Sequence, residues 1–204
     1  MASVTGVILA GGKSRRMGGT PKALIRFGGK TVIERVVERV TSVLPDTLIV
    51  TNTPDLYSFL GLPMVPDVFP DHGSLGGIYS GLRAAAGDAA FTVACDMPFL
   101  HPGLIRAIVE RAAAADVVIP NAGGELQTLH ALYSKRCLGP MEALLRAHQF
   151  KITAFFPEVK VVELSEADVA RFQDPNLCFM NLNTPEDLES ALRRLRELEG
   201  AAPR

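Results

Sequence analysis

The segment Thr5-Gly6-Val7-Ile8-Leu9-Ala10-Gly11-Gly12-Lys13-Ser14-Arg15-Arg16-Met17-Gly18-Gly19-Thr20-Pro21-Lys22 passes from a short apolar run into a basic, glycine-rich loop. An apolar run of this length, cut off by two glycines, has the form of a strand buried on both faces of a parallel sheet. Glycines at 11 and 12 let the backbone bend off that strand and turn N–H groups into a concavity, the way backbone amides cradle phosphate oxygens. Lys13, Arg15, Arg16 and Lys22 then suit a triphosphate, arginine as a fork and lysine as a point charge. Two well-known phosphate loops do not match. Walker A needs a glycine where Val7 stands, and nothing after Leu9 has the G-x-G-x-x-G spacing.

Outward from this loop, strand and helix alternate to the end of the chain. Thr31 with Glu34 three residues on makes a capping box for a helix reaching about Leu44, whose valines recur at helical spacing. Residues 47–51 read as a second strand. A loop rich in Pro, Gly and Asp follows over 54–76, with a helical turn near 56–60 and a short strand at 64–65. Helices are expected over 75–86, 102–115 and 138–147, and strands over 90–94, 116–120 and 127–133. The stretch 159–183 reads as two more strands around a polar segment. Thr184-Pro185-Glu186-Asp187 opens a last helix, with threonine as N-cap, proline at N1 and two acids in the first turn.

This pattern predicts an α/β fold, a mostly parallel sheet with helices on both faces. The 204 residues fit one domain over 1–200 with a frayed tail at 201–204. In such a sheet ligands lie beyond the carboxyl ends of the strands, so the loops after Ala10, Thr51, Val65 and Ala94 should converge on one site. Asp96, at the end of the strand over 90–94, is held to face that crevice. Mg²⁺ prefers one or two carboxylates plus phosphate oxygens, so a lone aspartate there suffices as its ligand; an aspartate capping the following helix is the plainer alternative.

Charge and cysteine usage bound the rest. The formal net charge is −1, yet Lys13, Arg15, Arg16, Lys22, Arg26 and Lys30 all precede the first acid, Glu34. A local cationic field in an otherwise acidic chain suits one small anionic ligand better than a nucleic acid or a membrane surface. Cys95, Cys137 and Cys178 are odd in number and widely spaced, which predicts reduced thiols in a soluble cytoplasmic protein. No apolar run approaches a membrane span. Among the histidines, His101 reads as a helix-entry residue, His148 as a helix C-terminal cation, and His72 as a neighbour of the site. No GxSxG supports a serine hydrolase.

The loop Leu9-Ala10-Gly11-Gly12-x-Ser14-x-Arg16-Met17-Gly18 with Lys22-Ala23-Leu24 resembles the signature of nucleotidyltransferases that share the glycosyltransferase-A-type Rossmann-like fold. Asp67 in a Pro-Asp loop, Gly73-Ser74-Leu75-Gly76-Gly77-Ile78, Cys95-Asp96-Met97-Pro98-Phe99 and Asn181-Leu182-Asn183-Thr184-Pro185-Glu186-Asp187 extend that resemblance over almost the whole chain, to the molybdenum cofactor guanylyltransferase (MobA) family. Pro21 departs from the family, which often has an acid before the loop lysine.

The resemblance implies a Mg²⁺-dependent enzyme that transfers GMP from GTP to the phosphate of molybdopterin, or of the molybdenum cofactor, and releases pyrophosphate. It implies that Leu9, Ala10, Gly11, Gly12, Lys22, Asn52, Asp67 and Asp96 hold the nucleotide. Arg16, Lys22 and Asp96 would carry the chemistry, with Asp96 on Mg²⁺, and Asn181 and Asn183 would meet the acceptor. An Asx-turn is the plainer reading of Asp67. Guanine preference rests on Gly11, since CTP-using relatives tend to carry Leu-Ala-Ala-Gly. The product would pass to a molybdoenzyme or a cofactor chaperone. The alternatives are a CTP-using or sugar-phosphate-using relative, and a GTP-binding accessory protein without catalysis.

Overall fold

The computed structural model of the chain describes residues 2–11 and 21–201. Strands are β1 (Val4–Leu9), β2 (Arg26–Phe27), β3 (Lys30–Thr31), β4 (Thr47–Val50), β5 (Met64–Val65), β6 (Ala89–Ala94), β7 (Val117–Ala122), β8 (Glu125–Leu126), β9 (His130–Ser134) and β10 (Val161–Leu164). Helices are α1 (Val32–Thr41), α2 (Gly73–Ala84), α3 (Pro102–Val109), α4 (Leu138–Arg146), α5 (Glu166–Ala170), α6 (Pro175–Cys178) and α7 (Pro185–Ala201). The main sheet runs β10-β7-β9-β6-β1-β4-β5, with β8 paired to β7. β1 lies parallel between β4 and β6, and β9 is antiparallel to both β6 and β7.

Both faces of β1 are buried, as its unbroken apolar run requires. Ile8 and Ala10 pack with Ile33, Val36 and Val40 of α1 and with Leu104, Ile105 and Ile108 of α3. Val7 and Leu9 pack on the other face with Leu75, Ile78 and Leu82 of α2 and with Met141 and Leu145 of α4. α1 begins at the expected capping box: the Thr31 hydroxyl accepts from Glu34 N–H, and the Glu34 carboxylate takes the Thr31 N–H. A third cluster joins Phe27 of the β2–β3 hairpin to Phe99 and to Leu182, Ala191 and Leu195 around α7. That hairpin turns on Gly28 and Gly29, both in the left-handed region at φ 56° and 80°.

Segment 159–183 differs from its expectation. It supplies one strand, β10, and then α5 and α6 rather than a second strand. Ser165 and Asp168 form a capping box that starts α5, and Asp174 caps α6 with Pro175 at its first position. Those local bonds satisfy N–H groups that a strand would have given to a neighbour.

Close packing of α2 depends on Gly81. A Cβ there would run into the Val7 and Val50 side chains beneath it. Gly81→Val is expected to cost about 3 kcal/mol, because both neighbours are locked in the sheet and cannot retreat; chemical unfolding measures it. Among the described residues no helix is long and apolar enough to cross a membrane.

Candidate active site

The register of the parallel strands builds the site. Leu9 is opposite Val50 on one side and Ala94 on the other, and Val50 is opposite Val65. Leu9, Val50, Val65 and Ala94 therefore form one row across four strand ends. Gly11, Asn52, Asp67 and Asp96 each follow that row by two residues. All four line a cleft of about 790 Å³. Backbone bonds carry the alignment past the strands: Ala10 N–H donates to Val50 C=O at 2.9 Å, Thr51 N–H to Val65 C=O at 2.9 Å, and Cys95 N–H to Leu9 C=O at 3.2 Å.

On one wall the chain brings three predicted residues together. Lys22 begins a short 3₁₀ turn (Lys22–Leu24) and its Nζ donates to Asn183 Oδ1 at 2.7 Å. Asn183 is fixed from behind by the start of α7, where the Asp187 carboxylate accepts its N–H at 2.9 Å and that of Thr184 at 2.8 Å. Leu182 N–H donates to Asp96 C=O at 3.1 Å, so the turn over 181–183 is tied to the metal-ligand candidate.

Asp96 is half-buried at the cleft floor, and its carboxylate takes a hydrogen bond from its own backbone N–H. Burial raises its pKa above the usual carboxylate value; the nearby Lys22 ammonium and a backbone hydrogen bond pull the other way. A half-buried carboxylate that lines an open cleft, with no side-chain donor bonded to it among the described residues, fits a divalent cation that completes its shell with phosphate oxygens. No cluster of three His, Cys, Asp or Glu able to hold a metal exists among the described residues. The site thus suits an ion brought with the nucleotide better than an all-protein metal cage.

The opposite wall is the start of α2 and the loop before it. Pro70, Asp71, Gly73, Ser74 and Gly77 line the cleft there. α2 has no side-chain cap at its N-terminus, so its first N–H groups add positive potential at this end. Asp67 makes a local turn and also lines the cleft. Its Oδ1 accepts from Phe69 N–H at 2.9 Å, the predicted Asx-turn, while the same residue lines the cleft.

Other predicted residues are placed as follows. Leu9 lines the cleft, but the Ala10 side chain is buried in the core on the α1 face. The Asn181 amide donates to Phe179 C=O at 3.2 Å and is not among the cleft-lining residues. Gly12 and Arg16 lie outside the described residues. His101 caps α3, its Nδ1 accepting from Gly103 N–H at 3.1 Å. His72 is not among the cleft-lining residues; its ring stacks on His148 at 5.4 Å and meets Phe150 edge-on at 5.0 Å. Sequence reasoning gave no role to Thr51, Asp71, Cys95 or Leu129, which also line the cleft. Thr51, Cys95 and Leu129 adjoin strand ends, the one signal that could have found them, while Asp71 lies in the loop before α2 and had none.

A family profile described as the MobA-like NTP transferase domain matches residues 6–159. The chain is 42% identical over 191 residues to a protein of Pelotomaculum thermopropionicum described as a probable molybdenum cofactor guanylyltransferase, covering 94% of this chain and 93% of that one. It is 42% identical over 193 residues to the molybdenum cofactor guanylyltransferase of Desulfosudis oleivorans, covering 94% and 95%. Among solved structures, molybdopterin-guanine dinucleotide biosynthesis protein A from Archaeoglobus fulgidus superposes with a TM-score of 0.83 at 26% identity, over 95% of this chain and 99% of that one. A chain that shares this family's profile, sequence and fold, with the cleft at the same strand ends from which its motif residues spring, belongs to the MobA-like NTP transferase family.

Proposed function

We propose that the chain transfers GMP from GTP to the phosphate of molybdopterin, releasing pyrophosphate and forming the guanine dinucleotide. The observation that carries this reading is the shared row of strand ends, which gathers Gly11, Asn52, Asp67 and Asp96 around one nucleotide-sized cleft with Lys22, whose ammonium Asn183 holds. The names of the relatives supply the donor and acceptor.

In this reading Gly11 brings backbone close to the nucleotide, and Lys22 neutralises phosphate charge that builds as pyrophosphate leaves. Gly12 and Arg16 join them at the phosphates. Asn52 and Asp67 hold the nucleoside. Asn183 keeps the Lys22 ammonium aimed across the cleft and borders the acceptor, with Asn181 behind it in the same turn. Asp96 holds Mg²⁺, which when bound offsets negative charge on the phosphates during displacement. No general base is needed, because a phosphate monoester is already largely ionised near neutral pH. Cytoplasmic location and hand-over to a molybdoenzyme or chaperone complete the reading.

Label transfer tests it. With α-³²P-GTP, Mg²⁺ and molybdopterin, the label should move into a molybdopterin product, and omission of any one component should abolish transfer. Transfer from CTP in preference to GTP, or to a sugar phosphate in place of molybdopterin, would contradict it.

Gly11 supplies a sharper test of base choice. Among the described residues a Cβ at Gly11 meets nothing within 4 Å, so an added methyl is expected to leave the strand ends around it undisturbed. Any effect of Gly11→Ala then arises from the bound nucleotide. The variant should lower GTP use relative to CTP by about tenfold, the scale of one misplaced methyl in a binding pocket; an unchanged ratio of the two kcat/KM values removes the assignment.

A further inference from the structure

Behind the cleft wall, the hydroxyl of Ser80 is a hub that neither family motif nor strand-end position explains. Ser80 sits in the third turn of α2 and is only 3% exposed. Its Oγ accepts from Val68 N–H at 2.9 Å, so its single proton remains for donation. Two acceptors compete for it: Asp67 Oδ1 at 2.9 Å and Gly76 C=O at 2.7 Å. The carboxylate is the stronger acceptor, since a hydrogen bond to an ionised group is roughly twice as strong as a neutral one.

Asp67 is thereby held through one oxygen, Oδ1, which takes both Ser80 Oγ and Phe69 N–H. Its Oδ2 accepts no hydrogen bond among the described residues. The chain of contacts continues outward. Asp67 N–H donates to Asn52 Oδ1 at 2.9 Å, and because a backbone N–H can only donate, the Asn52 amide must turn its oxygen inward. Its NH₂ group is then left for the cleft, which Asn52 lines from an exposed position. Helix and loop are also pressed together here: a Cβ at Gly76 would lie 2.7 Å from Phe69 C=O and 3.3 Å from both Asp67 carboxylate oxygens.

We propose that Ser80 is a positioning residue for the nucleotide, one that locks Asp67 and Asn52 into a preset pair, a carboxylate acceptor beside an amide donor. The class of group such a pair takes is one with an adjacent donor and acceptor, either a ribose hydroxyl or the edge of the base. The inference rests on the cleft being a GTP site. It assigns the orientation of that site's nucleoside half to a side chain that never touches the ligand.

The test is GTP binding by titration calorimetry together with steady-state pyrophosphate release, on the full chain with Mg²⁺ and molybdopterin. Ser80→Ala is expected to weaken GTP binding and raise the KM for GTP by about tenfold, the scale of one lost charge-assisted hydrogen bond. Its kcat at saturating GTP should stay within about twofold, because the phosphate side of the cleft is untouched. Ser80→Cys keeps a side-chain donor, weaker and somewhat larger, and should fall between wild type and the alanine variant, which preserves the test where alanine folds poorly. In an Asp67→Asn background Ser80→Ala should add little further loss. GTP binding by wild type that neither Ser80 variant weakens, or a full tenfold loss that persists without the Asp67 carboxylate, would overturn the assignment. Absence of GTP binding by wild type would instead overturn the nucleotide reading on which it stands. Loss of affinity for 2′-deoxy-GTP equal to that for GTP points to the base or the 3′-hydroxyl as the group held; loss confined to GTP points to the 2′-hydroxyl.

Discussion

Asp96→Asn should lower turnover by about 10²–10³-fold while leaving the fold at least as stable as wild type. The two halves of this expectation share one cause. Burial raises the Asp96 pKa, more than Lys22 and the backbone hydrogen bond lower it. An acid whose folded pKa stands above its unfolded value contributes stability below the unfolded pKa, and loses it as pH rises through the folded pKa. At neutral pH the ionised Asp96 is therefore a burden on the free protein, and an amide of the same shape relieves it. Function exacts the reverse, because the amide is a poor metal ligand and returns no charge to the phosphates. Thermal melts should show the free variant melting at or above wild type. Addition of Mg²⁺ and GTP should then raise the wild-type melting temperature by more than that of the variant. A variant that melts well below wild type without ligand would mean that Asp96 is a structural cap and not a cation ligand.

His130→Leu should make the protein more stable, and the gain should grow as the solution is acidified. His130 lies in the core at the start of β9, edge-on to Phe91 and to Phe179 at 5.2 Å each. Neither ring nitrogen has a hydrogen-bond partner among the described residues, and burial pushes its pKa down to about 3. As pH falls below about 6.5 the unfolded chain takes up a proton at this ring that the folded chain refuses. Stability therefore drops between about 6.5 and 3, by about 1.4 kcal/mol per pH unit for one such group. At pH 4.5 the leucine variant should be ahead by about 2–3 kcal/mol on this account alone. At pH 7.5 a smaller gain should remain, from removing two buried polar atoms. Urea unfolding at the two pH values measures the difference. An equal difference at both would mean that the folded protein protonates His130 as readily as the unfolded chain does.

Much of this site was legible in the sequence because its residues follow strands that announce themselves. The apolar run before Gly11 and the one before Cys95-Asp96 each end abruptly, and in a parallel sheet such ends share one edge. The Thr31–Glu34 and Thr184–Asp187 caps were equally readable, since a cap is a local bond between residues three apart. Relations that depend on distant partners were not. The antiparallel course of β9 leaves no mark in its composition, because a strand buried on both faces looks the same in either direction. The β2–β3 hairpin has strands of two residues, too short for any period, although Gly28-Gly29 marked its turn. Segment 165–178 shows the opposite failure. Its two helix caps were present in the sequence, and the apolar residues around them suggested a strand instead. Ser80 gave no signal at all. A serine inside a helix is unremarkable until the Asp67 loop folds over it.

The most direct test of the site is the position of a metal beside a bound nucleotide. Crystals of the full chain grown with Mn²⁺ and a non-hydrolysable GTP analogue should show anomalous density at bonding distance from the Asp96 carboxylate and from a phosphate oxygen. The nucleoside should lie against Asn52 and Asp67, with Lys22 at the phosphates. Manganese bound elsewhere, or an analogue seated outside the cleft over Gly11, Asn52, Asp67 and Asp96, would contradict the account.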